Sequence, residues 1–213
     1  MRAPFALLRS AVLFAALAGG VVPAAHAQTD AAATPRAVAR LDPAERLALP
    51  GLPNAGRVSE QLYRGAQPLP PGYDQLRQLG IAIVVDLHNR RDAKQHERLA
   101  VETRGMRYLS LPASSTQGPT GAQIAAFLQL LRDNPSRKIF VHCKCGADRT
   151  GVMVAAFRMA QEHRTPEQAT AEMHTFHFRS FWLPAMRRTV RNFPQEYANN
   201  PVFANLRLPS AAH

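Results

Sequence analysis

The sequence predicts an α/β fold with a central, mostly parallel sheet flanked by helices. The short, continuous apolar run at residues 81–85 is typical of a strand that is buried on both faces, and residues 138–141 are again strand-like. Segments with a helical spacing of apolar residues lie between these runs. Capping boxes, in which a threonine precedes a glutamine by three positions, mark helix starts at Thr120 and Thr165. Strands that alternate with helices favour a parallel sheet.

The predicted elements follow in order from Leu62, where the first strand begins. Leucines and a tyrosine share one face of the next segment, a helix at 71–79 that ends at Gly80 as a helix C-terminus requires. The further elements are a strand at 81–85, a helix at 93–104, a strand at 108–111, a helix after Thr120, a strand at 138–141, an apolar helix at 152–159 and a helix after Thr165.

Length and composition limit the classes of protein. The 213 residues allow one domain with appendages. A hydrophobic content of 46% with 19% charged residues excludes wholesale disorder. Two cysteines are too few for a disulfide scaffold, and the closeness of Cys143 to Cys145 indicates local chemistry instead. The formal net charge of +11 favours anionic partners.

Residues 1–27 are predicted to be a signal peptide. Arg2 and Arg9 accompany a short apolar stretch at 11–22, and Ala25-His26-Ala27 is a small-x-small cleavage pattern. An uncleaved membrane anchor is the weaker alternative, because the stretch is shorter than the roughly 18 residues that a spanning helix needs. We expect cleavage after Ala27, a periplasmic or secreted protein, and no stable membrane insertion after cleavage.

The segment that follows the signal peptide, residues 28–57, is rich in alanine and proline and has no sustained helical or strand period. Such a composition predicts a flexible linker. A folded domain is predicted over residues 58–200, and a short C-terminal tail over 201–213.

The most informative segment is residues 141–151, VHCKCGADRTG, which joins a predicted strand to a predicted helix. An anion site is expected at such a junction. The five residues between Cys143 and Arg149 are few enough to curl around one phosphate with their backbone N–H groups inward. Arg149 offers two parallel donors to phosphate oxygens. The same groups favour the thiolate of Cys143, which would face the phosphorus atom as a nucleophile.

The pattern His-Cys-x5-Arg-Thr-Gly at 142–151 resembles the phosphate loop of cysteine-based protein tyrosine phosphatases, and specifically that of the small dual-specificity branch. The segment LYRGAQP at 62–68, followed by residues 80–87, is similar to the start of bacterial, often exported, members. The resemblance covers residues 60–195. It implies a dual-specificity phosphatase-like fold, with the phosphatase domain at 58–200. It also implies hydrolysis of phosphotyrosine, and of phosphoserine or phosphothreonine, through a phosphocysteine intermediate.

The resemblance assigns roles to the loop residues. Cys143 is the expected nucleophile, and Arg149 is expected to bind the phosphoryl group. Thr150 is expected to hydrogen-bond the Cys143 sulfur, with helix capping as the alternative. His142 is expected to support the loop, with packing at the end of the strand as the alternative. The expected phosphate-binding residues are Lys144, Cys145, Gly146, Ala147, Asp148 and Arg149.

The sequence departs from the family at the general acid. Relatives place an aspartate on the loop after the preceding strand, but residues 111–119 read LPASSTQGP and contain no acid. Three explanations remain open. Asp148 serves as the acid, its alternative role being a carboxylate that braces the loop. An acid from elsewhere, such as Asp92, moves in. Finally, the enzyme works without an efficient acid, which favours aryl phosphates because their leaving groups need less protonation.

Cys145 is either a small loop residue or a trap for an oxidised Cys143.

Basic residues around the loop either recruit a phosphate-rich substrate or form a solvated face. They are Arg90, Arg91, Lys94, Arg179, Arg187, Arg188 and Arg191. Nucleic acid is not an expected partner, because no recognition motif accompanies the charge. The aromatic residues Phe176, Phe178, Phe181 and Trp182 are expected in the core or in a pocket wall.

Other classes of function fit less well. The expected partner is a phosphorylated protein or another phosphate monoester, and neither a metal nor another cofactor is expected because thiolate chemistry needs none. A phosphoinositide or inositol phosphate phosphatase of the same mechanism is the closest alternative. A catalytically weak phosphate-binding module is the next, since the usual acid is missing. A rhodanese-like sulfurtransferase also holds an anion with a cysteine loop, but the His-Cys start and the Arg-Thr-Gly finish suit a phosphatase better.

Overall fold

A six-stranded sheet forms the centre of the protein. The structure is a computed structural model that describes residues 42–207, apart from residue 90 and the side chains of residues 91–94. The predicted signal peptide and residues 28–41 lie outside the described residues. The strands, in chain order, are β1 (Glu45–Leu49), β2 (Leu52–Arg57), β3 (Leu62–Ala66), β4 (Ile81–Asp86), β5 (Arg107–Ser110) and β6 (Lys138–Cys143).

The sheet has the order β1-β2-β3-β6-β4-β5. Strands β3, β6, β4 and β5 are parallel, whereas β1 and β2 form an antiparallel hairpin at one edge. The prediction of a mostly parallel sheet is therefore confirmed. Ala66 pairs with Cys143, and Asp86 pairs with His142, so β3, β6 and β4 end at the same edge of the sheet. This edge is where the loops that could form a site converge.

Helices cover both faces of the sheet. They are α1 (Pro70–Gln78), α2 (Arg91–Glu102), α3 (Gly121–Asp133), α4 (Asp148–Gln161), α5 (Pro166–Thr175), α6 (Pro184–Asn199) and α7 (Ala204–Arg207), with a short 3-10 turn at Pro201–Phe203. Both predicted capping boxes are present, at Thr120 and Thr165. No helix among the described residues is long and apolar enough to cross a membrane.

Alternate residues of each parallel strand enter two separate hydrophobic clusters, as the strand period requires. Phe140 of β6 belongs to the cluster that α1 and α2 complete, whereas Ile139, Val141 and Cys143 belong to the cluster of α3, α4, α5 and α6. Helix α4 is buried on almost every side, which explains why its sequence is apolar rather than amphipathic. The nucleophile predicted from the sequence thus lies on the α4 face of the sheet.

The prediction of a flexible linker is wrong for residues 45–57, which form β1 and β2. An edge hairpin buries few side chains, here chiefly Leu52 and Ala55, so it produces no clear apolar period. The hairpin turns at Gly51, whose φ of +72° is in the left-handed region that favours glycine. A Cβ at Gly51 would also lie 2.3 Å from the backbone nitrogen of Gly72. Residues 45–57 therefore extend the sheet of the folded domain and are not a flexible linker.

The prediction of a C-terminal tail is wrong for residues 201–207. Phe203 and Leu206 are buried in the main cluster, and the Phe203 ring packs edge-on against Phe193 at 5.6 Å between centroids. The aromatic side chains join this segment to α6, so it belongs to the domain. Residues 208–213 lie outside the described residues.

Candidate active site

The loop between β6 and α4 lies at the carboxyl edge of the parallel strands, as the sequence predicts. Strand β6 ends at Cys143, and α4 begins at Asp148. The N-cap residue Ala147 has no side chain that accepts a hydrogen bond from the first turn of α4. The N-terminal N–H groups of α4 are therefore left without a side-chain cap, and the helix dipole favours an anion there.

Arg149 lies in the first turn of α4 and is positioned by two neighbouring loops. Its Nη1 donates to the carbonyl oxygen of Leu87 at 3.1 Å and, more weakly, to that of Ala113 at 3.4 Å. Leu87 follows β4, and Ala113 follows β5. The guanidinium group is thus held at the sheet edge at which Cys143 ends β6, and Cys143 itself is only 2% exposed.

Gly146 allows the loop to approach the neighbouring strand β3. Its φ is +66°, and a Cβ at this position would lie 2.3 Å from the carbonyl carbon of Gly65. Both facts require glycine. The backbone N–H of Gln67 also donates to the carbonyl oxygen of Lys144 at 3.3 Å. The phosphate loop is therefore pressed against the end of β3.

Arg64 of β3 supports the loop between β6 and α4 through a hydrogen bond to its backbone. It was not identified as a site residue from the sequence. Its Nη2 donates to the Gly146 carbonyl oxygen at 2.8 Å, and its guanidinium lies 3.9 Å from the centre of the Phe176 ring. Burial lowers the pKa of Arg64 to about 10, against the opposing charges of Glu172 and Cys143. The group therefore remains charged at neutral pH. The available signal was an arginine inside a strand that is otherwise apolar.

Asn54 is a second support that sequence reasoning missed. Its Nδ2 donates to the carbonyl oxygens of Cys145 at 3.0 Å and Phe176 at 3.1 Å. Its φ of +52° is in the left-handed region, which asparagine tolerates better than most residues. Asn54 belongs to β2, in the segment predicted to be a linker, and nothing in the local sequence indicated its contact with the loop.

Asp148 is engaged by Arg179. One carboxylate oxygen accepts from the backbone N–H of Arg179 at 3.2 Å, and the other accepts from Nε at 3.2 Å and from Nη2 at 2.6 Å. The hydrogen bond and the charge of Asp148 raise the pKa of Arg179. This arrangement is the one expected of a carboxylate that braces the loop.

The loop at 111–119 does not supply a general acid. It folds into a tight turn in which Ser114 pairs with Gly118, and it contains no acidic residue. Asp92, the candidate from elsewhere in the chain, lies in α2, and its side chain is outside the described residues. Asp148 is the acidic residue within the loop at 143–149 itself.

Thr150 and His142 flank the loop residues. The Thr150 hydroxyl is buried and has no hydrogen-bond partner among the described residues, the sulfur of Cys143 included. The capping alternative is wrong, because α4 has no side-chain cap.

The His142 ring is fully buried, stacks on Phe140 at 5.7 Å and places Nε2 3.0 Å from Oε1 of Glu97. His142 is thus packed as a residue at the end of a strand, and its effect on Cys143 remains a prediction.

The remaining predicted residues divide between surface and core. Lys144 and Cys145 are exposed, and Cys143 and Cys145 are both free cysteines. Of the basic residues, those described are exposed: Arg179, Arg187, Arg188 and Arg191. The side chains of residues 90, 91 and 94 lie outside the described residues.

The four aromatic residues after α5 do not share one environment. Phe176 and Phe178 are core residues, as expected. Phe181 and Trp182 are 79% and 75% exposed and pack edge to face at 5.1 Å, so a core position is wrong for them. They lie two and three residues after Arg179, and a pocket wall remains their expected place.

Comparisons with known proteins agree with this geometry. The model of a family described as a DSP-PTPase phosphatase fused to NAD+ kinase matches residues 51–187. The dual specificity protein phosphatase TpbA of Pseudomonas aeruginosa is 30% identical over 175 residues, which cover 81% of this chain and 73% of TpbA.

Solved structures show the same fold. The crystal structure of P. aeruginosa TpbA has a TM-score of 0.60 at 26% identity, covering 74% of this chain and 97% of that one. Its complex with phosphotyrosine has a TM-score of 0.61 at 24% identity, covering 76% and 99%. The catalytic core of the PP-IP phosphatase Siw14 from S. cerevisiae has a TM-score of 0.62 at 16% identity, covering 76% and 98%. The structures below 25% identity show the fold alone.

A thiol at the end of a buried strand, a helix N-terminus without a side-chain cap and an arginine in the first turn of that helix are typical of a cysteine-dependent phosphatase. The family model covers most of the folded domain, from β2 to the start of α6. The chain belongs to this dual-specificity branch of the cysteine-based protein tyrosine phosphatases.

Proposed function

We propose that the protein is an exported phosphatase that hydrolyses aryl phosphate monoesters, with phosphotyrosine as the preferred class of substrate and phosphoserine and phosphothreonine as slower ones. The observation that carries this proposal is the contrast between the complete cradle at Cys143–Arg149 and the acid-free loop at 111–119. The relative TpbA, which is 30% identical to this chain, is a dual specificity protein phosphatase and has been solved in complex with phosphotyrosine, and this supports the same class of substrate.

The reaction has two displacement steps. The bound phosphoryl group is neutralised by Arg149 and by the N–H groups at the start of α4. The Cys143 thiolate attacks the phosphorus atom, so that the S–P bond forms while the bond to the leaving oxygen breaks. A phenolate leaves with less need of a proton than an alkoxide does, and it then takes its proton from water. In the second step a water oxygen attacks phosphorus, the S–P bond breaks, and phosphate and the thiolate are released as the water proton goes to solvent.

The exposed pair Phe181 and Trp182 provides an apolar surface suited to the ring of an aryl phosphate. Trp182 comes three residues after Arg179, whose backbone and side chain both bind Asp148 in the loop. Large exposed aromatic side chains are uncommon on a solvated surface without a binding role. Their position just after Arg179, which binds Asp148 of the loop, supports contact with the leaving group rather than with a distant partner.

The experiment is a phosphate-release assay on p-nitrophenyl phosphate and on matched phosphotyrosine, phosphoserine and phosphothreonine peptides, between about pH 5 and 7. We expect turnover of both aryl substrates and slower turnover of the alkyl phosphates, by about 10²-fold or more, the lower end of what a general acid contributes. Cys143→Ser should abolish turnover, whereas Cys145→Ser should retain it. Equal rates on phosphoserine and phosphotyrosine would overturn the proposed preference. No turnover by the wild-type chain would indicate a phosphate-binding module.

An inositol phosphate or phosphoinositide is the second candidate substrate. Arg187 and Arg188 are exposed at the start of α6, next to Met186, which packs against Gly118 of the loop at 111–119. Positive charge beside the active-site loops suits a substrate with several phosphates. The same assay decides between the two: Arg187→Gln with Arg188→Gln should weaken turnover of an inositol polyphosphate far more than that of p-nitrophenyl phosphate if this candidate is correct.

Export forms a separate part of the proposal and rests on the N-terminal sequence. Mass spectrometry of the protein recovered from the periplasm or medium of a bacterial host should find a chain that begins at Gln28. A full-length chain that stays in the cytoplasm would contradict export and leave the phosphatase activity unaffected.

A further inference from the structure

Four side chains of metal-ligating type meet on the opposite face of the sheet from Cys143. One ligand atom from each lies within 4.8 Å of those of the other three, and the side chains are Asp86, His88, Glu97 and His142. All four are buried, with at most 5% of each residue exposed. We call this group the buried tetrad.

The tetrad is assembled by three elements of the fold. Asp86 ends β4, and His142 pairs with it in β6. His88 follows β4, and Glu97 reaches the group from α2, which covers this face of the sheet. The positions are therefore set by the rigid part of the domain, where a ligand site is most precise.

The tetrad contains two close pairs, each of one imidazole and one carboxylate. Nδ1 of His88 lies 3.0 Å from Oδ1 of Asp86, and Nε2 of His142 lies 3.0 Å from Oε1 of Glu97. Nevertheless, His88 Nδ1, Glu97 Oε1 and both ring nitrogens of His142 are buried without an aligned hydrogen-bond partner among the described residues. Buried polar atoms are normally paired, so these atoms call for a ligand.

Further hydrogen bonds hold both carboxylate oxygens of Asp86 and the second carboxylate oxygen of Glu97. Tyr108 donates its hydroxyl to Oδ2 of Asp86 at 2.6 Å, and Gln67 donates weakly to Oε2 of Glu97 at 3.4 Å. The backbone N–H of His88 donates to Oδ1 of Asp86 at 2.7 Å. Outer hydrogen bonds of this kind orient the carboxylate ligands of metal ions.

We propose that the buried tetrad binds one divalent metal ion, and that Zn²⁺ is the ion it suits best. Two imidazole nitrogens and two carboxylate oxygens are a common zinc donor set at about 2.0–2.2 Å, which places ligand atoms roughly 3.3–3.6 Å apart in a tetrahedron. The separations in the tetrad, from 3.0 Å to at most 4.8 Å, lie on both sides of that value. With neutral imidazoles the tetrad carries two negative charges, which one divalent cation balances.

A surface cavity reaches one member of the tetrad. The cavity, of about 430 Å³, has Glu97 in its wall, together with Gln67, Tyr73 and the exposed His96. His96 lines this cavity but is outside the tetrad, and it therefore serves as a control position.

The proposed ion has a structural role and leaves the phosphoryl transfer itself metal-free, as the sequence predicts. It would join the end of β4 to β6 directly behind the cradle. Leu87, between two of the ligands, supplies the carbonyl that Arg149 binds, and His142 precedes the nucleophile. Binding of the ion should therefore raise the thermal stability of the whole domain.

The test uses the untagged Cys143→Ser, Cys145→Ser chain, so that no thiol or polyhistidine segment competes for metal. After treatment with a chelator and dialysis against dilute Zn²⁺, mass spectrometry of the metal should find one zinc per chain, and the melting temperature should rise. Co²⁺ in its place should show visible bands of a tetrahedral nitrogen and oxygen site. A stripped chain that takes up neither ion would overturn the proposal.

Matched variants locate the site. His88→Gln and Glu97→Gln should each weaken Zn²⁺ binding by more than the roughly 10–100-fold that follows loss of an outer-shell partner. His96→Gln should bind as the parent does. Binding that is unchanged in His88→Gln and Glu97→Gln would place the metal elsewhere and refute the assignment. If either variant fails to fold, the Co²⁺ spectrum of the parent decides, because an exposed surface site gives octahedral rather than tetrahedral bands.

Discussion

Two loops at the same edge of the sheet differ in what they supply to catalysis. The phosphate loop after β6 carries the nucleophile and the arginine, and β2 and β3 support it through Asn54 and Arg64. The loop at 111–119, after β5, contributes a backbone carbonyl to Arg149 and no acid. The proposed groups for phosphate binding and nucleophilic attack are thus both present, whereas the usual source of a proton for the leaving group is missing from the loop at 111–119. We expect the specificity for a leaving group to follow from this difference.

The largest expected effect concerns the arginine that joins the two loops. Arg149→Lys keeps the charge but loses the two parallel donors and their fixed plane. We expect kcat/KM on p-nitrophenyl phosphate to fall by about 10²–10³-fold, the loss typical of one preorganised donor to a transition-state oxyanion. Steady-state kinetics measure this, with circular dichroism as the control for folding. A fall of less than about tenfold would mean that the backbone amides alone carry phosphate binding.

Asp148 and Arg179 test whether the phosphate loop supplies the missing acid itself. If the carboxylate braces the loop, Asp148→Asn and Arg179→Gln break the same pair and should lower kcat/KM by similar factors, about 10–100-fold, on aryl and alkyl phosphates alike. If it is the acid, Asp148→Asn should instead affect alkyl phosphates far more than aryl ones, and Arg179→Gln should not. We expect the first pattern, because both carboxylate oxygens are bound to Arg179.

The close packing of the phosphate loop against β3 predicts a loss of stability at Gly146. Gly146→Ala places a Cβ 2.3 Å from the backbone of Gly65 and a side chain at a φ of +66°. We expect the free energy of unfolding to fall by about 1–3 kcal/mol, measured by urea denaturation. Gly121→Ala is the matched control, since a Cβ there meets only ordinary contacts at 3.8 Å and beyond. Equal effects of the two substitutions would contradict the account of the loop.

The parts of the site that could be predicted are those close together in sequence. Cys143 and Arg149 lie on one short loop between an apolar strand and an apolar helix, and both elements are buried enough to give a clear pattern. The supports are distant: Arg64 is 82 residues from its partner in the loop, and Asn54 is 91. Such contacts depend on the strand order, in which β3 is next to β6, and no local pattern records that order.

In the fold, too, the elements with a strong local sequence pattern could be predicted, and those that depend on distant contacts could not. The buried parallel strands and the capped helices were predictable because burial on both faces and threonine caps produce strong local signals. The hairpin of β1 and β2 was not, since the edge strand β1 has no fully buried residue and β2, which contains Pro53, buries only a few. The segment at 201–207 was missed for a related reason. Its two buried residues, Phe203 and Leu206, form no local pattern, and their burial depends on packing against the rest of the domain, as when Phe203 contacts Phe193 of α6.

The smallest expected effect compares one supporting side chain for each loop. Asn54→Ala removes the hydrogen bonds to the Cys145 and Phe176 carbonyls and should lower kcat/KM by about 2–10-fold, which corresponds to about 0.5–1.5 kcal/mol for the bond to Cys145 in the phosphate loop. Ser114→Ala removes the bonds that its Oγ accepts from the backbone N–H groups of Thr116 and Gln117 in the acid-free loop. Because that loop supplies only the Ala113 carbonyl, we expect a change of less than about twofold. If Ser114→Ala proves as harmful as Asn54→Ala, the loop at 111–119 does more than hold Arg149, and a water positioned by its hydroxyl groups becomes the first candidate for the missing proton donor.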